Sequence, residues 1–153
     1  MNPFDLKTAL LAKHAQHVVV IHFPIALFMA SAFFDLLSRW KQSGAFATVA
    51  YYNLIAAAVA ALPAVATGLL AWQWLLEGEE LKGILRLHLI MGLTSAAMIW
   101  VLCWWCGRER RKSEKGLTWP YIATELVAVA VIAFTGHLGG ILSGVNVGAA
   151  RNW

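Results

Sequence analysis

The chain has very little charge for its length. Only 13% of its 153 residues are charged, about half the share of roughly 25% that is usual in soluble domains. Hydrophobic residues make up 60% of the sequence, and the mean hydropathy is +0.66. A soluble domain of this length cannot hide so much apolar surface. The composition therefore excludes an ordinary soluble protein and indicates an integral membrane protein.

Cysteine is scarce as well, and the basic residues follow no nucleic-acid-binding pattern. Two cysteines imply no disulfide framework. They form Cys103-Trp-Trp-Cys106, but Gly107 follows where a c-type haem attachment needs histidine, so covalent haem is excluded. The net charge of +4 comes without a basic stripe interleaved with aromatics. Nucleic acid is therefore not an expected partner.

Four apolar runs are each long enough to cross a bilayer. The expected fold is all-α, an integral membrane four-helix bundle with helices at about residues 18–37, 46–76, 87–106 and 117–142. The connections are short, which makes neighbouring helices antiparallel and predicts an up-down-up-down bundle. No internal repeat stands out, and we predict a single transmembrane domain over residues 1–153.

The charges of the connecting loops predict the orientation of the bundle. The first and third connections carry seven Lys and Arg residues, five of them from Arg108 to Lys115, whereas the other side carries five. Basic loops tend to face the cytoplasm. Both termini are therefore expected on the outer side of the membrane.

Four histidines interrupt the apolar runs near the outer side. His17 and His22 lie in the first run, His88 begins the third, and His137 lies near the end of the fourth. Ionisable groups inside membrane segments are rare and usually functional. At about 1.5 Å per residue, their depths suggest two couples: His17 with His88 near the surface, and His22 with His137 deeper.

These histidines suit haem iron better than a small metal ion. Two histidines on facing helices can hold one haem. A catalytic zinc site needs three close ligands, often with a carboxylate, and no carboxylate lies near this layer in the sequence of the helices. Arg86 stands at the outer edge, where haem propionates need cations. A second interpretation stays open, in which the histidines are hydrogen-bonded groups between helices.

Small residues share helix faces with two of these histidines. In the fourth run they recur at intervals of three and four, as Ala130, Ala133, His137, Gly140 and Gly144. We predict that Gly136 and Gly140 make room for a macrocycle beside His137. The third run repeats the pattern as His88, Gly92 and Ser95. The second run carries a similar stripe, for which ordinary helix packing is preferred: Ala57, Ala61, Ala64, Gly68 and Ala71.

Two carboxyl groups lie in the runs on the cytoplasmic half, Asp35 in the first and Glu125 in the fourth. Such groups can serve a quinone or proton path. An interhelical hydrogen bond is the preferred interpretation for both.

Four segments resemble the motifs of the domain-of-unknown-function 2231 family. They are His17-x4-His22-Phe-Pro-Ile-Ala-Leu, Ala66-Thr-Gly68-Leu-Leu-Ala-Trp72, Arg86-Leu-His88 and Gly136-His137-Leu-Gly-Gly140. They fall in order over nearly the whole chain. The sequence departs from the family pattern at Val18, where proline often stands, and at Asn146, which takes the place of a further histidine.

The resemblance implies a four-helix bacterial membrane protein of a family suspected to be b-type cytochromes, some fused or adjacent to c-type haem domains. The family's motif histidines carry over to His17, His22, His88 and His137. The expected function is a b-type cytochrome of the bacterial inner membrane, with one or two haem b groups held by pairs of histidines on the periplasmic side.

Such a cytochrome would pass electrons between the quinone pool and a periplasmic acceptor, with quinone, a c-type cytochrome or a larger respiratory complex as partner. The sequence offers no constellation for a turnover enzyme, so we expect an electron-transfer protein. The alternative is a haem-free membrane scaffold or accessory subunit of a respiratory complex.

Overall fold

The computed structural model describes residues 13–75, 81–112 and 117–143, which are almost entirely helical. Four helices follow one another: α1 (Lys13–Lys41), α2 (Gly44–Leu75), α3 (Gly83–Lys112) and α4 (Trp119–Leu142). Each is long and apolar enough to cross a membrane. The expected fold class, an all-α membrane protein with four spanning helices, is confirmed.

The helices are longer than most of the apolar runs that predicted them. α1 begins at Lys13 rather than at residue 18, and α3 ends at Lys112 rather than at residue 106. The added turns contain Lys, Arg, Gln and Glu, which are strong helix formers in polar surroundings. Hydropathy therefore located the membrane spans but not the helix ends.

The helices pair as two antiparallel hairpins, α1 with α2 and α3 with α4, and each hairpin is a compact unit of its own. In the first hairpin Phe34 stacks on Phe46 close to the turn, with ring centroids 6.0 Å apart. In the second, Trp105 meets Tyr121 edge-on at 5.7 Å. Within each hairpin the expected antiparallel arrangement is confirmed. The single domain remains a prediction.

A two-residue turn closes the first hairpin. Gln42 adopts φ of 52°, the left-handed conformation that usually follows a helix and is most often taken by glycine. The Ser43 N–H then donates to the Ser38 carbonyl at 3.2 Å, the long-range bond of a Schellman motif. The Ser38 hydroxyl donates back to the Ser43 carbonyl at 3.1 Å. The end of α1 is thus capped without a glycine at the turning position.

One carboxylate ties α3 to the start of α4. Glu109 accepts hydrogen bonds from the Trp105 indole N–H at 2.7 Å, from the Thr118 backbone N–H at 2.7 Å and from the Thr118 hydroxyl at 2.5 Å. Thr118 is the N-cap of α4, and its own side chain does not cap the helix. Glu109 therefore satisfies the backbone N–H of the N-cap residue, as the glutamate of a capping box does, and places negative charge at the positive end of the α4 dipole.

The buried face of α2 consists mainly of alanine. On α2, Ala57, Ala61 and Ala64 are buried, which confirms the packing interpretation of this stripe. In lipid, helices are held together by close packing rather than by the hydrophobic effect, and small residues permit that approach. Large apolar side chains point outward instead, among them Phe33 and Leu62. The protein is therefore a multi-pass protein of a lipid bilayer.

Glu109→Ala should destabilise the second hairpin by about 2 kcal/mol, because three donors lose a charged acceptor. The measurement is SDS-induced unfolding in mixed micelles. Thr118→Val removes one of the three donors, so the double variant should lose less stability than the two single variants together. Strictly additive losses would contradict the bond between the two side chains.

A candidate histidine site

His17 lies at the open end of the first hairpin and is half-buried. Its Nδ1 is 3.2 Å from the Thr67 hydroxyl oxygen on α2. The Thr67 hydroxyl oxygen is also 2.8 Å from the Pro63 carbonyl oxygen. When the hydroxyl donates there, its oxygen accepts from Nδ1–H of the imidazole. The imidazole also lies against Gly68, where an added Cβ would stand 2.9 Å from His17 Cε1. Only glycine accommodates the ring at this distance.

His88 occupies the corresponding place in the second hairpin and is also half-buried. Its Nδ1 is 3.2 Å from the backbone carbonyl oxygen of Thr135 on α4. A carbonyl can only accept, so Nδ1 carries the proton. The ring lies against Gly139, where an added Cβ would stand 3.1 Å from His88 Cε1. The contact is again made between imidazole and glycine.

The contact between α3 and α4 continues beyond His88 along the same face of α3. The Ser95 and Thr135 hydroxyl oxygens lie 3.1 Å apart across the two helices. A Cβ at Gly92 would be 4.0 Å from the Thr135 methyl carbon, an ordinary contact. The small residues on this face of α3 therefore serve helix packing.

His22 has a different environment, because its side chain is exposed. Its Nδ1 is 2.6 Å from the Val18 carbonyl oxygen one turn earlier in α1, and it therefore donates a proton there. The ring borders a shallow apolar groove with Phe23, Ala26 and Leu27. The helix backbone already satisfies one of its two nitrogens.

His137 is exposed on α4, together with Ala130, Ala133 and Gly136. The opposite face of the helix is the buried one, with Tyr121, Ile122, Glu125, Ala128, Ile132 and Leu138. A Cβ at Gly136 would meet nothing within 4 Å among the residues described. The small-residue stripe around His137 thus forms an open surface rather than a contact within its hairpin.

The other two residues predicted for the site lie at the ends of their helices. Gly140 is half-buried in the last turn of α4, and its carbonyl accepts the Ser143 hydroxyl at 3.1 Å. Arg86 is exposed in the first turn of α3. These observations do not test a cofactor role, so the assignments of Gly140 and Arg86 to the site remain predictions.

His22 and His88 share one tautomer. Each donates from Nδ1 to a backbone carbonyl, which leaves the lone pair on Nε2 in the neutral ring. A histidine that binds a metal through one nitrogen usually donates from the other to a carbonyl or hydroxyl. In these two residues the nitrogen left for a metal is therefore Nε2.

The histidines do not build a site for a small metal ion within one hairpin. Across residues 13–75, 81–112 and 117–143, no group of three His, Cys, Asp or Glu side chains could hold one. Each predicted couple takes one histidine from each hairpin, and the pairing stays a prediction.

The buried carboxyl groups lie away from the histidines. Asp35 is 3% exposed and Glu125 is 1% exposed. Asp35 is about 27 Å along α1 from His17, at 1.5 Å per residue. These groups therefore belong to the opposite half of the helices and not to the histidine site.

Four residues of these contacts were not assigned to the site from the sequence: Thr67, Gly68, Thr135 and Gly139. The dipeptide Thr-Gly occurs at Thr67-Gly68 and again at Thr135-Gly136, near the ends of α2 and α4. It signals both contact residues of the first hairpin but only the threonine of the second, because His88 lies against Gly139 and not Gly136. Each hairpin thus sets a histidine early in its first helix against threonine and glycine late in its second.

A family model described as a predicted membrane protein, DUF2231, matches residues 13–149. The match includes all four histidines and both Thr-Gly dipeptides. The chain belongs to the DUF2231 family. Neither a curated protein nor a solved structure shows significant similarity to it. Membership in DUF2231 establishes the kind of protein, and the chemistry has to be argued from the side chains.

Gly68→Ala and Gly139→Ala should each destabilise this DUF2231 protein by roughly 1–2 kcal/mol, because the new methyl group displaces a hydrogen-bonded imidazole. Gly136→Ala is the matched control. It adds the same group to the same helix as Gly139→Ala but into open space, and should be neutral or stabilising by up to about 1 kcal/mol. SDS-induced unfolding measures all three. Equal effects at Gly136 and Gly139 would show that the imidazole contact is unimportant.

Proposed function

We propose that this protein is a b-type cytochrome of the bacterial inner membrane, with haem held by pairs of histidines. The observation that carries the proposal is that His22 and His88 each donate from Nδ1 to a backbone carbonyl, while His17 Nδ1 lies 3.2 Å from the Thr67 hydroxyl oxygen. Such a bond fixes the orientation of the ring and raises the basicity of Nε2, the nitrogen that would bind iron. Bound haem would supply a one-electron carrier.

His22 and His137 are the pair proposed for one haem. Both are exposed, His22 beside an apolar groove and His137 on a surface of small residues with open space at Gly136. These surfaces suit a flat apolar ring, which needs an accessible imidazole and little side-chain bulk. Gly140 lies one turn beyond Gly136 and belongs to the same proposed contact.

His17 and His88 are the proposed second pair. They would bind a second haem through Nε2 or, protonated at that nitrogen, donate to haem propionates, to which the exposed Arg86 would also offer a cation. Thr67 and the Thr135 carbonyl act here as positioning groups, because they hold the two rings through Nδ1.

The proposed role is electron transfer between the quinone pool and a periplasmic acceptor. The four histidines lie toward the ends of the helices that the loop charges place outside the cytoplasm. A haem there would be near a c-type cytochrome or a larger respiratory complex in the periplasm. Both kinds of partner belong to the proposal.

One observation favours a second candidate, a haem-free scaffold or accessory subunit of a respiratory complex. The bonds from His17 to Thr67 and from His88 to Thr135 each join two helices of one hairpin. Interhelical hydrogen bonds in membrane proteins contribute about 0.6 kcal/mol on average. The two histidines can therefore serve hairpin stability alone.

The absorption spectrum separates the two candidates. Protein purified from haem-replete cells should have a Soret band and a b-type α-band that appears on reduction, with haem that acid acetone extracts. Covalent haem is not expected because Gly107 follows the CxxC pair. Folded but colourless protein would exclude the cytochrome and leave the scaffold.

Histidine variants test the pairing. His22→Ala and His137→Ala should each abolish the same spectral component, and the double variant should lose no more than either alone, since one haem needs both ligands. His17→Ala is the matched control at a half-buried histidine of the same helix, and should leave that component largely in place. If His22→Ala and His137→Ala removed different components additively, the couples would have to be redrawn.

A further inference from the structure

An exposed stripe along α3 changes in character from apolar to cationic. Its members recur at intervals of three and four residues and therefore share one helix face. All of them are exposed. They are, in order, Leu93, Ala97, Val101, Trp104, Arg108 and Arg111. This set is the α3 stripe below.

At the cationic end of the α3 stripe, an aromatic ring holds the Arg108 side chain. The Arg108 guanidinium lies over the Trp104 ring, 5.5 Å from its centroid, within the range of a cation–π contact. Trp104 itself is 66% exposed. Arg108 and Arg111 follow Trp104 by about 6 and 10 Å along the helix. If the indole sits at the edge of the hydrocarbon core, Arg108 lies in the headgroup layer, which is roughly 5–8 Å thick on each side. The backbone of Arg111 lies just beyond that layer, and its long side chain, tilted towards the N-terminus of the helix, reaches back into it.

Glu109 stands next to Arg108 in the chain and accepts hydrogen bonds from Trp105 and from two donors of Thr118. Its carboxylate thus holds the link between α3 and α4 together. Arg108 and Arg111 are exposed on their own face of α3.

We propose that the α3 stripe is a binding site for an anionic phospholipid. The acyl chains lie along Leu93, Ala97 and Val101, and the phosphodiester accepts hydrogen bonds from Arg108 and Arg111. Guanidinium groups bind phosphate oxygens in a bidentate manner. A zwitterionic lipid is disfavoured, because its ammonium group would stand close to the same two cations. Because apolar and cationic residues adjoin on one face, the α3 stripe fits a lipid, which has both acyl chains and a phosphate, better than a water-soluble phosphate.

The test measures lipid binding to the full-length protein by native mass spectrometry. Phosphatidylglycerol and phosphatidylcholine with identical acyl chains are compared in the same detergent. Phosphatidylglycerol should bind roughly tenfold more tightly to the unaltered protein. In the variant Arg108→Gln/Arg111→Gln that preference should fall to about twofold or less. Both arginines are exposed, so its helical circular dichroism should not change.

Two controls make the result specific. Lys41→Gln/Lys82→Gln removes the same charge from two other exposed positions and should keep the preference. Glycerol 3-phosphate lacks acyl chains and should not displace the lipid. The proposal is overturned by equal binding of the two lipids to the unaltered protein, by an equal loss of preference in the lysine variant, or by displacement with glycerol 3-phosphate.

The variant Trp104→Leu keeps the stripe apolar and should weaken the binding of phosphatidylglycerol about two- to threefold, because it releases Arg108.

Discussion

Each hairpin depends on an imidazole that lies against a glycine of the opposite helix. A membrane offers no hydrophobic force to bring two apolar helices together, so close packing and satisfied polar groups have to do so. His17 on Gly68 and His88 on Gly139 meet both needs in one contact. The glycine lets the ring approach, and the ring finds an oxygen acceptor on the same helix. This one contact sets both the spacing of the two helices and the orientation of the ring.

The other end of each hairpin is closed by polar capping. In the first hairpin Gln42 and Ser43 turn the chain at the end of α1, and in the second Glu109 caps α4. Backbone groups at helix ends need partners where water is scarce. The same end of α3 carries Arg108 and Arg111, which are exposed and belong to the surface to which we assign a lipid.

Depth in the membrane and burial in the protein are different properties, and the four histidines show the difference. The sequence places His22 and His137 deeper than His17 and His88 along the helices. In the structure His22 and His137 are exposed, whereas His17 and His88 are half-buried. A residue in the middle of a span can face lipid, whereas one near its end can face a neighbouring helix. The exposure of His22 and His137 therefore follows from the faces of α1 and α4 on which they lie, and not from their depth.

The sequence by itself determined that this is a membrane protein with four spanning helices, because twenty apolar residues in a row have few alternatives. It also located the four histidines through motifs that the family shares. Only the tertiary structure decided that Gly139 rather than Gly136 meets an imidazole, that Thr67 and Thr135 hold the rings, and that Glu109 is a cap. In a soluble helix the contrast between polar and apolar faces reveals which side is buried. In a membrane helix both faces are apolar, so the sequence pattern cannot distinguish a lipid-facing glycine from a packed one.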